Sequence, residues 1–267
     1  MKQEKKKFTI LGYSVWRLLA YFILYSIAGY IIETLFGIMT KGLWESRQSF
    51  LYGPFCGIYG LGAVVMIVFL QWFSKSNTSL FVGGFIIGSI IEYVVSLIGE
   101  WIFGIKWWDY SHMPLNINGR ICVFFSLFWG FLAIFLMATV QPKMNKLVEH
   151  IKSKFKSRKW MKIATLSLTI FLALDFGITC YALKMFYVRM IAKNDIEVEN
   201  KEQVIAYYHE IYDNEKTANI IYKFWGDRKM IRTFPNLKVE DKNGNMIYFD
   251  SLLPDIQPYY LKVWDKK

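Results

Sequence analysis

Residues 80–103 have the sequence LFVGGFIIGSIIEYVVSLIGEWIF, an almost uninterrupted apolar run with a carboxylate, Glu92, near its middle. A helix of roughly 20 apolar residues crosses a hydrocarbon layer of about 30 Å. A charged side chain at that depth costs roughly 2.5 to 3.5 kcal/mol on insertion scales, so Glu92 requires polar surroundings shared with other helices. This run therefore predicts a membrane helix that contributes to a polar site.

Four further runs have the length and composition of membrane helices: 16–38, 51–73, 121–140 and 161–188. The chain is 54% hydrophobic and 18% aromatic, well outside the composition of a soluble domain. The first run is longer than the apolar core of a signal peptide and is expected to be retained. The sequence predicts an all-α, polytopic bundle of five transmembrane helices, residues 16–190, between a basic N-terminus, 1–15, and a small mixed tail, 191–267.

The basic residues are sorted by loop. If all five runs cross, one side holds four lysines before residue 8, Lys75, and seven basic residues between Lys143 and Lys159. The other side holds only Lys41, Arg47, Lys106 and Arg120 before the tail. The positive-inside rule then places the N-terminus in the cytoplasm and the tail outside the cell membrane. The distribution of the net charge of +11 is explained by topology alone or, as the alternative, by topology together with contact of the basic fourth loop with anionic lipid, and no nucleic-acid partner is predicted.

Three acids lie inside the apolar runs on faces of small residues. At 100° per residue, Gly88, Ser89, Glu92, Ser96 and Gly99 share an arc of about 100°. Glu33 shares a face with Ser26, Gly29 and Gly37 in the first run, and Asp175 aligns with Thr179 in the fifth. We predict an intramembrane polar site of Glu33, Glu92 and Asp175 around one water-accessible hollow. The alternative is structural, with each acid neutral or hydrogen-bonded in a packed interface.

Glycines and one proline predict close helix packing. Residues 51–60, LYGPFCGIYG, place Gly53, Gly57 and Gly60 on a smooth stripe, and Pro54 removes a backbone donor, which predicts a kink or broken turn. Gly84 and Gly88 form a G-x-x-x-G spacing, which lets neighbouring helix backbones approach.

The connection after the third run is rich in aromatic and polar residues. Residues 107–120 have the sequence WWDYSHMPLNINGR. We predict the outer wall of a pocket, formed by these residues: Glu100, Trp108, Asp109, Tyr110, Asn116, Asn118 and Arg120. The alternative is an interfacial aromatic belt with an asparagine cap on the fourth helix.

The tail is predicted to contain a helix and a hairpin, and the cysteines are predicted to be structural. Residues 202–224 are spaced as a helix, and Asn243 and Gly244 indicate a hairpin turn between two short strands. Cys56, Cys122 and Cys180 lie in separate apolar runs and are expected to pack as small hydrophobes. Neither the cysteines nor the histidines have metal-site spacing, so no metal or cofactor is predicted.

Three segments resemble a known family of bacterial membrane proteins. They are FLYGPFCGIYG at 50–60, WWDYS at 107–111 and NINGRIC at 116–122. The chain is similar through them, over about 16–188, to the ABC-transporter type IV or CmpB-like family, which is described as ABC transporter permeases. Gly57 departs from the proline expected in many members.

The resemblance implies a permease-like subunit of an ABC-type transporter of unknown substrate. The chain has no phosphate-loop motif, so an ATPase would be a separate subunit, for which residues 144–155 are the candidate docking segment. Two alternatives stay open: a membrane enzyme acting on lipid or isoprenoid head groups, and a non-catalytic assembly or sensor subunit. Five spans also suggest a homo- or hetero-oligomer.

Overall fold

A computed structural model of the protein describes residues 9–103, 106, 108–155 and 157–264. This part is mainly helical, as predicted. Its helices are α1 (Val15–Lys41), α2 (Gly57–Leu70), α3 (Asn77–Phe103), α4 (Val123–Phe135), α5 (Gln141–Lys154), α6 (Arg158–Asn194), α7 (Lys201–Tyr212), α8 (Glu215–Trp225) and α9 (Asp227–Thr233). Its strands are β1 (Thr9–Ile10), β2 (Tyr13–Ser14), β3 (Leu43–Glu45), β4 (Asn116–Ile117), β5 (Ile121–Cys122), β6 (Lys238–Glu240), β7 (Met246–Tyr248) and β8 (Tyr259–Lys262).

Four helical segments of the described residues are long and apolar enough to cross a membrane. They are Val15–Lys41, Asn77–Ile102, Val123–Lys154 and Arg158–Asn194. The second predicted run forms a shorter apolar helix, Gly57–Phe73, whose last turn is a 3-10 turn. The predicted helical start at residue 51 is wrong, because residues 49–54 form bends and Pro54 lies in this non-helical segment.

The fourth span is longer than its apolar run. A π-helical turn, Leu136–Val140, joins α4 to α5, so the helical segment continues to Lys154. Pro142 is tolerated because it lies in the first turn of α5, where an N–H has no intrahelical partner in any case. The basic connection after the fourth run is therefore mostly helix, and the candidate docking segment 144–155, whose apolar residues have helical spacing, lies almost entirely in α5.

The described residues form two compact units. Unit 1 comprises the described parts of Met1–Gly29, Pro54–Tyr93 and Tyr110–Ala173, and unit 2 comprises those of Tyr30–Gly53, Val94–Asp109 and Leu174–Lys267.

Unit 1 packs α1, α2, α3 and the α4–α5 segment around one apolar core. Its buried members are Leu18, Tyr21, Tyr25, Met66, Ile67, Val68, Leu70, Leu80, Ala133, Leu136 and Met144. The tyrosine hydroxyls are satisfied by α5: Tyr25 donates to Gln141 Oε1 over 2.7 Å, and Tyr21 donates to Asn145. Polar bonds thus hold α1 against α5 within this core.

Unit 2 packs the tail against the C-terminal part of α6. Its buried apolar core consists of Leu51, Ala182, Leu183, Phe186, Met190, Ile191, Ile196, Val198, Met230, Ile231, Leu237, Val239 and Phe249. The single helix predicted over 202–224 is wrong. The helix is interrupted between Tyr212 and Glu215. There Asn214 caps α8 by accepting the N–H of Thr217 over 3.1 Å.

Two strand pairs order the rest of unit 2. The predicted hairpin turn is confirmed: β6 pairs antiparallel with β7, Val239 opposite Ile247, and Gly244 has a φ of +82°. The second pair was not predicted: β8 pairs antiparallel with β3, with Leu43 opposite Lys262. The end of the tail is thereby joined to the segment that follows α1.

Candidate functional site

Glu92 is buried on α3, with 7% of its surface exposed. Its Oε1 accepts the Tyr110 hydroxyl over 2.8 Å, and its Oε2 accepts the Trp129 Nε1–H over 2.9 Å. Both donors are neutral, so the carboxylate is hydrogen-bonded by groups that do not cancel its charge. Such a carboxylate can take up a proton or attract a cation. We call Glu92, Tyr110 and Trp129 the Glu92 site.

Small residues of α3 allow α4 to reach this site. A Cβ at Gly88 would lie 2.5 Å from Trp129 Cβ, and a Cβ at Gly84 would lie 2.3 Å from Ala133 Cβ. A side chain at either position would push α4, and with it the Trp129 indole, away from α3. On the same face, Ser89 Oγ donates to Ser126 Oγ over 2.7 Å. The predicted small-residue face is therefore the contact surface for α4.

A short hairpin positions Tyr110. β4 pairs with β5, Ile117 opposite Ile121, through a three-residue connection in which Asn118 and Gly119 have φ angles of +54° and +66°. This is the Asn-Gly turn that hairpins favour, and the Gly119 carbonyl accepts the Tyr110 N–H over 2.8 Å. The Tyr110 ring also stacks on Phe125 with centroids 4.6 Å apart. Burial, and secondly the Glu92 carboxylate, raise the pKa of Tyr110 well above its usual range, so the phenol stays a proton donor.

The other predicted outer-loop residues have varied positions. Asn118 Nδ2 donates to the Tyr93 hydroxyl over 2.9 Å, and the Arg120 guanidinium lies 6.0 Å from the centroid of the same ring. Asn116 bonds within the hairpin, where its Oδ1 accepts the Gly119 N–H. In unit 2, Glu100 lies 3.9 Å from Lys106, while Trp108 and Asp109 are half-buried. Trp107 of this motif lies outside the described residues.

Asp175 is only 2% exposed and fixes the bend before α2. Its Oδ2 accepts the Tyr52 N–H over 3.1 Å, and its Oδ1 accepts the Thr179 hydroxyl over 3.3 Å. Thr179 Oγ1 in turn accepts the Leu51 N–H over 2.8 Å. These bonds satisfy two backbone donors of a non-helical segment, as a buried backbone requires. The arrangement corresponds to the structural alternative stated for the acids.

The three acids belong to different units. Glu33, half-buried on α1, and Asp175 lie in unit 2, whereas Glu92 lies in unit 1. The shared hollow therefore stays a prediction, and the structure brings together Glu92, Tyr110 and Trp129. Within the described residues, no three potential ligands of the His, Cys, Asp and Glu types assemble into a metal-binding group.

The predicted packing residues of the second run differ in role. Gly60 lies against α1, where a Cβ would be 2.1 Å from Ser26 Oγ. Gly57 is the first residue of α2, and Gly53, with a φ of +82°, lies with Pro54 in the bend held by Asp175. Of the predicted stripe, Gly60 therefore lies in a helix contact and Gly53 in a backbone turn.

The chain matches a protein-family model. A family model described as "Putative ABC-transporter type IV" matches residues 20–180. The chain belongs to this family. The resemblance predicted from the sequence is thus confirmed, and the matched segment contains Glu33, Glu92, Tyr110 and Asp175. A comparison with curated proteins gives no match, and neither does a comparison with solved structures.

Beyond the segment matched by the ABC-transporter type IV family, the tail is anchored by a residue that was not predicted. Arg189 of α6 is fully buried. Its Nε and Nη2 bond to Asp227 Oδ1 over 2.7 and 2.6 Å, its Nη1 donates to the Tyr212 hydroxyl over 3.0 Å, and its Nη2 donates to the Trp225 carbonyl over 2.9 Å. The guanidinium therefore joins α6 to α7, α8 and α9. Its sequence signal is a lone cation inside the apolar run 185–191, MFYVRMI.

Proposed function

We propose that the protein is the permease-like membrane subunit of an ABC-type transporter, with the Glu92 site as its polar intramembrane centre. The observation that carries the proposal is a buried carboxylate on a membrane helix, held by two neutral donors, within the segment that matches the ABC-transporter type IV family. A carboxylate in these surroundings suits the binding of a proton, a cation or a cationic group of a substrate.

The two hydrogen bonds to Glu92 come from different parts of the chain, so one can be lost while the other stays. Trp129 comes from a helix packed on α3, whereas Tyr110 lies outside the helices, in the segment before β4, and bonds to the hairpin through its N–H. A movement of the hairpin would remove one hydrogen bond from Glu92 and leave the other. The charge of Glu92 would then depend on the position of the loop, which is the coupling that an alternating-access device needs.

Contacts inside unit 2 support the five-crossing topology. β3, which follows α1, pairs with β8 of the tail. Lys106, which follows α3, donates from its backbone N–H to the Lys238 carbonyl over 3.3 Å and from its ammonium to Glu240. The ends of α1 and α3 thus both meet the tail. If α2 and α3 both cross the membrane, the end of α3 lies on the same side as the end of α1. If only α3 crossed, the two ends would lie on opposite sides.

The length of α2 is compatible with that crossing. Gly57–Phe73, at 1.5 Å per residue, is about 25 Å long, at the short end of what spans a bilayer. With the basic segments inside, we propose a cytoplasmic N-terminus 1–15, a transmembrane domain 16–190 and an extracytoplasmic tail 191–267 in a cell membrane.

The proposed partner is a separate ATPase subunit that docks on α5. This helix extends the fourth span and carries Lys143, Lys146, Lys152 and Lys154. A second subunit, of the same or another kind, would complete the translocation path. Membrane lipid is the remaining partner.

The test is Glu92→Gln in the full chain, reconstituted in liposomes with a candidate partner ATPase. The amide oxygen can accept the Trp129 N–H while the amide nitrogen donates to the Tyr110 oxygen, so the variant should fold and bind the ATPase. We expect the wild type to stimulate ATP hydrolysis and Glu92→Gln to lose that stimulation. Glu210→Gln, an exposed acid of α7, is the matched control. Equal stimulation by wild type and Glu92→Gln would refute the role of the Glu92 site.

The folded tail favours a second candidate, a non-catalytic sensing or assembly subunit. Nearly all of the tail belongs to a unit with its own core, built on α6 and anchored by Arg189. Under this function, Glu92→Gln would reduce the amount of assembled complex and leave the activity per complex unchanged. Quantifying ATPase copurified with each variant separates the two candidates.

A further inference from the structure

The tail has an open cleft of about 520 Å³ at the junction of α8 and α9. Its lining consists of Tyr222, Lys223, Gly226, Asp227, Arg228, Lys229, Arg232, Thr233 and Tyr260. Gly226 forms the corner between the two helices, and a Cβ there would lie 2.7 Å from the Tyr222 carbonyl oxygen. We call this the cationic cleft.

The charge of this lining is strongly positive. It holds four basic side chains, at Lys223, Arg228, Lys229 and Arg232, and one acid, Asp227. The Asp227 carboxylate is already bound by Arg189 at 2.6 Å, so it offers little compensation to the cleft. The tail from Arg189 onward has equal numbers of acidic and basic residues, thirteen of each, so the excess is local.

Some of the other tail acids pair with lysines outside the cleft. Glu197 pairs with Lys201 and Lys242, and Glu240 pairs with Lys106. Within the described part of the chain, none of Lys223, Arg228 and Lys229 forms a close ion pair with a carboxylate, and Lys229 interacts with Asp175 only at longer range. A group of like charges left without counter-charge is unfavourable unless a ligand or solvent ions supply it.

The polar groups around the cations suit a phosphate. Arg232 is held by a bond from its Nε to the Gln257 carbonyl over 3.3 Å, and Lys229 lies 5.4 Å from the centroid of the Tyr52 ring. Tyr222 and Tyr260 add phenol groups to the walls, and Thr233 is 2% exposed beneath them. Arginine and lysine donors together with hydroxyls match a dianion with several oxygens better than a single carboxylate.

We propose that the cationic cleft binds a phosphate-bearing ligand. The volume exceeds that of a bare phosphate and accommodates a phosphorylated glycerol. Such a group is supplied either by the head of an anionic lipid or by a soluble phosphate ester. The site lies outside the segment that matches the family and does not depend on the Glu92 site.

The experiment compares ligand binding to the full chain in a neutral detergent. The probes are phosphatidylglycerol, phosphatidylcholine and glycerol 1-phosphate, with affinities measured by titration and bound lipid counted by native mass spectrometry. The test variant is Arg228→Gln with Lys229→Gln. The control, Lys216→Gln with Lys242→Gln, removes the same charge from exposed positions outside the cleft.

We expect the test variant to bind the phosphate probe about 30-fold more weakly, since two basic side chains near an anion are lost, and the control to bind like the wild type. Preference for phosphatidylglycerol over phosphatidylcholine without binding of glycerol 1-phosphate identifies a lipid head group. Binding of glycerol 1-phosphate identifies a soluble ester. Equal affinities of wild type and test variant, with both folded by circular dichroism, would overturn the proposal.

Discussion

Arg189 and Asp227 form an ion pair whose cation has no exposed surface, and removing one partner leaves the other without its counter-charge. We expect Arg189→Ala to lower the free energy of unfolding of the tail by about 3–5 kcal/mol. Hydrogen exchange of α7, α8 and α9 measures this loss.

Arg228→Ala is the control for that measurement, because Arg228 is exposed in the same short helix as Asp227. The double variant Arg189→Met with Asp227→Leu should recover part of the loss, since neither charge then stays buried alone. Exchange rates for Arg189→Ala equal to those of the control would contradict the anchoring role.

Tyr212 gives the tail a dependence on alkaline pH. Its hydroxyl donates to the Met185 carbonyl over 3.1 Å and accepts from Arg189. Burial raises the pKa of Tyr212 to about 12, against the opposite effect of the Arg189 charge. The unfolded pKa is about 10, so the protonated phenol stabilises the tail fully below that pH, and this contribution is lost as the pH rises from about 10 to about 12.

Tyr212→Phe should therefore weaken the tail by about 1 kcal/mol at neutral pH, through the lost hydrogen bonds, and flatten its decline above pH 10. Thermal unfolding at a series of pH values tests both effects, with the exposed Tyr248→Phe as control. An unchanged alkaline slope in Tyr212→Phe would show that other groups cause the decline.

At the scale of helices, one glycine decides how closely α1 and α2 pack. A Cβ at Gly60 would lie 2.1 Å from Ser26 Oγ and 2.5 Å from the Phe22 carbonyl oxygen, whereas a Cβ at Gly62 would meet nothing within 4 Å. We expect Gly60→Ala to destabilise the protein by about 1–3 kcal/mol through overpacking. Gly62→Ala, on the same helix, should be neutral or slightly stabilising.

Thermal unfolding of both variants in detergent distinguishes these outcomes. Similar melting temperatures for the two variants would mean that α1 and α2 can separate without cost, and would contradict the contact described for unit 1.

The elements also show what a single sequence can predict. The Asn-Gly pair at 243–244 was identified as a turn because two short strand-like runs flank it. The same pair at 118–119 was missed, since its strands are only two residues each and the loop was interpreted through its aromatic and charged residues. Local turn chemistry was equally clear in both places, but Tyr110 reaches Glu92 only because the second hairpin forms.

At the scale of the whole molecule, single cysteines test the topology. The background is a variant whose Cys56, Cys122 and Cys180 are replaced by serine. In this background we expect the single substitutions Ser49→Cys, Ser111→Cys and Asn243→Cys to be labelled by an impermeant maleimide added outside the cell. Ser153, at the end of α5, should react only after permeabilisation, as odd and even connections alternate across the membrane. Outside labelling at Ser153, or none at Ser111, would refute five crossings.

The sequence predicted the apolar spans and the membrane class because hydropathy is a local property. It did not predict the organisation of the tail, because that depends on distant partners: Arg189 with Asp227, and β3 with β8. Arg189 is a positive charge inside an apolar run. The cost of burying a charge, which singled out Glu92, applies to Arg189 as well. Its partners follow only from the fold.

The pairing of β3 with β8 has a consequence for biosynthesis. β3 emerges from the ribosome well before its hydrogen-bonding partner, Tyr259–Lys262, which follows it by more than 200 residues. Until then the strand presents unpaired N–H and C=O groups, a template for wrong association. A polypeptide terminated before Tyr259 would lack this partner, and the edge of β3 would stay open to pairing with other chains.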